Sequence, residues 1–270
     1  MNNLYWNVYR SLERELLDIA DTIHVDDKQL STYSMRIANL LVRTVIEIES
    51  ISKELYFREG GVQPAQGNDL YFDTDCLALL ENKWTLSKKV VMISSPLLYL
   101  EDISNLRLTP LHKAFKRGHS GSAWKQAYQA VKHDRSGSLN KGSIKHFIHA
   151  LGALFLLNLY YQEQKFSLYR DPKGKKFDAN VGSSLFSIEI YRSPKNLLRR
   201  DKGSEPLDQY TYLICSSDES KKKIEDLLKG VAGNEQAYKQ IVSTLKKDPA
   251  LLREIVKALK YEAVLNKSQY

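Results

Sequence analysis

Between Phe147 and Tyr161 the chain is apolar at almost every position, reading Phe-Ile-His-Ala-Leu-Gly-Ala-Leu-Phe-Leu-Leu-Asn-Leu-Tyr-Tyr. A helix with this composition has no polar face to give to water, so other elements must cover it on every side. The run is shorter than the roughly 18 residues a membrane span needs, and it carries His149 and Asn158. It predicts a buried core helix over about 143–162, and the rest of the chain must supply its wrapping.

The wrapping is visible as amphipathic periodicity. Leu12, Leu16 and Ile19 predict a helix over 4–23, with Asp26 or Asp27 placed to cap the next one. Ile37, Leu40, Leu41, Val45, Ile48, Ile51, Ser52 and Leu55 predict a long helix over 28–57, stopped by Gly60-Gly61. Trp124, Ala127, Tyr128 and Val131 fall at i, i+3, i+4 and i+7 and predict a shorter helix over 124–135. Four such helices describe a compact, mainly α bundle over 1–165. A loop and strand segment interrupts it at about 60–110, with a short helix at 75–81 and a strand-like 89–94 ended by Pro96.

Residues 166–270 change character and read as a C-terminal α+β extension. Phe186, Ile188 and Ile190 alternate with polar neighbours, and 210–215 is a second β-type run, which together predict an antiparallel hairpin. The loop between them carries Arg192, Lys195, Arg199, Arg200 and Lys202. From Asp218 the pattern is helical, with a break at Gly230 to Gly233 and an Asp248-Pro249 start for a last helix over 250–265.

Charge is concentrated rather than spread. The net charge is +8, and residues 107–146 carry that much alone, with Asp134 as the sole acid against nine lysines and arginines. Such a field draws phosphate-bearing partners, although a merely solvated basic face is the plainer reading of any charge run. Cys76 and Cys215 stand far apart without CxxC spacing, which points away from a disulfide framework or thiolate metal site and toward a reducing, cytoplasmic setting. The start, Met-Asn-Asn-Leu-Tyr-Trp, has no basic n-region and predicts no signal peptide, and no segment predicts membrane insertion. Ser183-Ser184 is no nucleophile elbow, no Walker A or dinucleotide loop occurs, and His146 with His149 lacks further ligands at metal spacing, so neither cofactor nor metal is expected.

The polar turn Lys132-His133-Asp134-Arg135 closes the Trp124 helix before Ser136-Gly137-Ser138. At a helix terminus these side chains project into a cleft or an interface. Trp124 and Tyr128 could stack on bases, but their register with Val131 places them in the core.

Three segments carry a family resemblance: Leu41-Val-Arg-Thr-Val-Ile-Glu-Ile-Glu-Ser-Ile-Ser-Lys-Glu-Leu55, Trp124-x-x-Ala-Tyr-x-x-Val-Lys-His-Asp-Arg135, and Leu151-Gly-Ala-Leu-Phe-Leu-Leu. Together they resemble the HEPN superfamily of helical-bundle proteins over residues 1–162. The resemblance implies a four- or five-helix bundle that often dimerises. In many members it is a metal-independent endoribonuclease, and in others an inactive RNA- or partner-binding module, commonly within antiphage, toxin-antitoxin or CRISPR-linked systems. Active members place an Arg four to six residues before a His, whereas Lys132-His133-Asp134-Arg135 inverts that order. Arg107-Leu-Thr-Pro-Leu-His112 matches the spacing literally, but Pro110 removes the helical context.

Metal-independent RNA cleavage needs a group that moves a proton and cations that stabilise the phosphorane. On that chemistry His133 is the candidate base or acid, Asp134 its orienting partner, and Arg135 the catalytic cation. Lys132, Arg43, Lys141, Lys145 and Arg117 are the candidate phosphate contacts, although Arg43 and Glu47 also stand at the spacing of an ordinary helical ion pair. Two functions remain: an RNA- or nucleotide-directed effector, catalytic or not, and a non-enzymatic protein that docks on a protein partner of a defence system.

Overall fold

The apolar run forms the centre of the molecule. In a computed structural model describing residues 3–66, 68–191, 207–222 and 259–267, it is helix α7, Ile144–Gln162. Ser143 caps its start by accepting a hydrogen bond from the His146 amide, and every residue from Ala150 to Tyr160 is buried. Helices α1 (Leu4–Thr22), α2 (Met35–Arg58) and α5 (Ala123–His133) lie against it. Leu41, Ile48, Tyr128, Val131, Leu151 and Phe155 are all buried, so the predicted stripes do meet in one core. The protein is mainly α, and none of its described helices is long and apolar enough to cross a membrane.

The predicted start of α2 at Lys28 is corrected by seven residues. Asp26 accepts hydrogen bonds from the amides of Lys28 and Gln29 and closes a separate turn over Gln29–Ser31. Thr32 then gives its carbonyl to the Ile144 amide at 2.9 Å, and Tyr33 bridges to Ser143, which holds this stretch extended beside the start of α7. Only at Ser34, whose side chain accepts from the Ile37 amide, does the helix begin. It ends before Gly60, whose φ of 89° suits a residue without a Cβ.

The insertion contains a π turn, Phe72–Leu77, running into α3, Ala78–Trp84. It also contains β2 (Val91–Ile93), β3 (Leu98–Tyr99), α4 (Ile103–Leu106) and β4 (Arg107–Leu108), while β1 is Val25–Asp26 and pairs in parallel with β3. Beyond α5 come one helical turn, α6 (Arg135–Ser138), then β5 (Phe166–Tyr169), β6 (Phe186–Ile188), β7 (Ile190–Tyr191), β8 (Tyr212–Ser216) and β9 (Tyr261–Leu265).

Two expectations for the C-terminal part fail. The predicted hairpin does not form: β6 pairs antiparallel with β2, while β7 pairs in parallel with β8. Glu189 sits between β6 and β7, where Arg107 grips it with contacts of 3.0 and 3.2 Å, so the alternating run is divided between two sheets. The end of the predicted helix over 250–265 is also corrected, because Tyr261–Leu265 is the strand β9, paired with β5 and β8 in a sheet of order β5-β9-β8-β7, while residues 250–258 lie outside the described residues. The tertiary pairing available on both edges outweighs the local helical pattern. The basic loop over 192–202, the Gly230 to Gly233 break and the Asp248-Pro249 start lie outside the described residues.

Insertion and extension are stitched to the bundle. They share the sheet β4-β2-β6, Trp84 stacks on Tyr160 with ring centroids 4.7 Å apart, and the Tyr160 hydroxyl donates to the Asn266 carbonyl at 2.7 Å. Glu13, fully buried on α1, accepts hydrogen bonds from Tyr9, Ser183 and the amides of Ser184 and Leu185. Ser183 therefore anchors the chain entering β6.

Candidate functional site

Helix α5 buries Trp124, Tyr128 and Val131, with the Trp124 ring nitrogen donating to the Pro110 carbonyl at 2.8 Å. The core, not a ligand, holds these rings. On another flank of the same helix, Ala123, Ala127 and Ala130 recur at helical spacing. Their short side chains leave a hollow, and the facing wall is built from Glu49 and Lys53 on α2, the stretch Leu70–Asp73, and Arg117 to His119. The result is a half-open cleft of about 850 Å³, with Lys132, Lys141 and His146 at its margin.

The wall is fixed by a buried ion pair. Lys125, which itself lines the cleft, donates to Asp73 at 2.8 Å, to the Ala114 carbonyl at 2.8 Å and to the Lys116 carbonyl at 2.7 Å. Three acceptors fill the three donor positions of an ammonium, so the pair is ionised. Burial pushes the Asp73 carboxyl up, but Lys125, the Thr74 amide and Arg117 outweigh that and hold it below the ordinary carboxylate range. Arg117 donates to the other Asp73 oxygen at 3.3 Å and lies over the exposed Tyr71 ring at 3.8 Å from its centroid. The guanidinium thus stays in the cleft wall with its outer edge in solvent.

Four exposed cations, Lys53, Arg117, Lys132 and Lys141, face this space. Two carboxylates, Asp73 and Glu49, share the lining. Asp73 is engaged by Lys125, and Glu49 is pushed above its ordinary value by burial, against the pull of Lys132 and Lys53. Gly142 brings the loop carrying Lys141 down onto α2, where a Cβ would meet the Ala38 side chain at 2.6 Å. His146 lies within hydrogen-bond reach of the Lys141 carbonyl at 2.7 Å through Nδ1; a carbonyl only accepts, so Nδ1 carries the proton and Nε2 is the free acceptor. Burial lowers its pKa, the carbonyl opposes that, and Lys145 and Lys141 lower it further, which favours the neutral ring.

The turn expected to carry catalysis is arranged differently from its sequence reading. Lys132 and His133 end α5, Asp134 breaks it, and Arg135 starts α6 rather than sharing that last turn. Asp134 caps α6 by accepting from the Gly137 amide at 3.0 Å, which explains how Ser136-Gly137-Ser138 continues as a helical turn. His133 lies 3.2 Å from the Gln129 side-chain oxygen, and Arg135 donates to Asn39 at 2.7 Å. These three side chains hold three different partners. Of the expected phosphate contacts, Arg117, Lys132 and Lys141 come together in the cleft. Lys145 lines a smaller neighbouring pocket, while Arg43 is exposed on α2, outside the cleft lining and without an ion pair to Glu47. Arg107 and His112 serve no joint site, because Arg107 is held by Glu189 and Gln209.

Sequence reasoning missed Asp73, Glu49, Lys53, Tyr71 and His119, and counted Lys125 as one more surface cation. The alanine spacing on α5 was the available signal. Among the described residues no group of three His, Cys, Asp or Glu stands close enough to hold a metal ion. Compared with protein-family models, curated proteins and solved structures, the chain has no match.

Proposed function

We propose that this protein binds a phosphate-bearing ligand, RNA or a nucleotide, in the cleft between α5, α2 and the Leu70–Asp73 wall. The observation that carries the reading is the charge arrangement: four exposed cations line one cleft, in which Asp73 is already bound by Lys125 and Arg117. Anionic ligands are drawn toward such a field. Tyr71 with Arg117 stacked on it supplies a planar surface suited to a base.

The reading favours binding over catalysis. His133, Asp134 and Arg135 point to separate partners, so proton transfer and phosphorane stabilisation have no shared centre there. A HEPN-like bundle, and with it a place in prokaryotic or phage defence, is part of the same proposal and rests on the helices quoted from the sequence. Docking on a protein partner is the competing function. Fluorescence anisotropy with a labelled single-stranded RNA separates the two: binding that weakens steeply with salt supports the cleft, and no binding at low salt refutes it.

A further inference from the structure

Lys141 and His146 belong to two pockets at once. One is the cleft beside α5; the other, about 380 Å³, lies between the turn over residues 27–31, Asn105 and the loop over 140–146. The two spaces therefore border one another at these residues, and the cations of the two linings run from Arg117 and Lys53 through Lys132 and Lys141 to Lys145 and Lys28.

The two halves differ in chemistry. The cleft offers the Tyr71 ring and the alanine flank of α5, surfaces that suit a planar base. The second pocket is polar, with Ser31, Asn105 and Asn140 beside Lys28 and Lys145. Its acid, Asp27, is committed to the Glu101 and Asp102 amides at 2.9 and 3.1 Å and to the Asn105 side chain at 2.8 Å. Lys145 donates to the same Asn105 side chain at 3.3 Å and is otherwise exposed. A mononucleotide fills one half and leaves the other cations unused. The first cleft alone is already near the upper end of the roughly 300–1,000 Å³ that single small ligands occupy. A chain of phosphates carrying bases uses both halves, since stacking platforms and a track of cations are what a single strand requires.

We infer that the two pockets form one track for single-stranded nucleic acid, crossing the Lys141–His146 saddle, with base stacking at Tyr71 and phosphate contacts continuing to Lys145. This rests on the phosphate-binding reading of the cleft and extends it to a ligand longer than one nucleotide.

The test compares a labelled dinucleotide with a labelled RNA oligomer of about eight nucleotides, a length within the usual range for single-strand sites. Anisotropy titrations use the full-length protein at several salt concentrations. The oligomer is expected to bind more tightly than the dinucleotide. Lys145→Glu and Lys145→Gln are expected to weaken the oligomer by about threefold or more at moderate salt and to reduce its log–log salt slope by about 0.7 per lost phosphate contact, leaving the dinucleotide unaffected. An unchanged melting temperature confirms that both variants fold. Equal affinity for the two ligands, or an oligomer indifferent to Lys145, overturns the track while leaving the cleft reading intact. Binding of neither ligand to the wild type overturns both.

Discussion

Lys125 and Asp73 meet at 2.8 Å with side chains only 6% and 7% exposed, and this contact ties α5 to the Leu70–Asp73 wall of the cleft. The two residues are 52 positions apart in sequence. Burying charges costs free energy that pairing and hydrogen bonding must offset, and here both carbonyl acceptors and Arg117 contribute to the offset.

Breaking that pair from one side is therefore severe. Lys125→Met leaves the Asp73 carboxylate buried with only Arg117 and a backbone amide, and is expected to cost about 3–5 kcal/mol in urea unfolding. Adding Asp73→Asn removes the stranded charge and recovers part of the loss. A single-variant loss below about 1 kcal/mol shows that the pair is not the anchor of the wall.

Charge reversal on the cleft rim gives the opposite pattern. Lys53→Glu and Lys132→Glu alter exposed side chains, so stability is expected to shift by no more than about 0.5 kcal/mol. RNA affinity, in contrast, is expected to fall, and the salt slope to flatten by about 0.7 for each phosphate contact removed. Anisotropy against salt measures both quantities, and undiminished binding by the double variant removes the cleft as the ligand site.

The sequence made the bundle legible because helical periodicity and burial are local properties: the apolar run at 147–161, and the stripes along α1, α2 and α5, all mark buried faces. It misled where partners are distant. Phe186 to Ile190 alternates correctly for a strand, yet pairing divides it between β2 and β8, which no local pattern specifies. The site followed the same rule. Arg117, Lys132 and Lys141 were recognisable from the charge of their segment, but Asp73, Glu49 and Tyr71 lie in other segments and join them only through folding. His133 and Arg135 stand two positions apart in sequence, and the break at Asp134 puts one at the end of α5 and the other at the start of α6.

Acid stability depends on His149. Burial, assisted by Lys145 and His146, lowers its pKa from 6.5 to about 4. The folded protein holds the ring neutral, while the unfolded chain takes up a proton below pH 6.5. The associated stability is thus complete above pH 6.5 and declines as the pH falls toward about 4. His146, lowered for the same reason, acts in the same direction. Urea midpoints at pH 7 and pH 4.5 are expected to differ less in His149→Leu than in the wild type, and an identical pH response in the two proteins contradicts this assignment.

His133 distinguishes a binding cleft from a catalytic turn. Its ring is exposed, lies beside the Gln129 side chain, and takes no part in the cleft lining. His133→Ala is therefore expected to leave RNA affinity unchanged within error and to alter stability by no more than about 0.5 kcal/mol. If the turn instead transfers protons, purified wild-type protein cuts single-stranded RNA without divalent metal, and the same substitution lowers that rate by about 10² or more. Incubating wild type and variant with labelled RNA in EDTA, then resolving the products on a denaturing gel, decides between these outcomes. Cleavage that disappears with His133 would move the functional centre from the α5 cleft to the junction of α5 and α6.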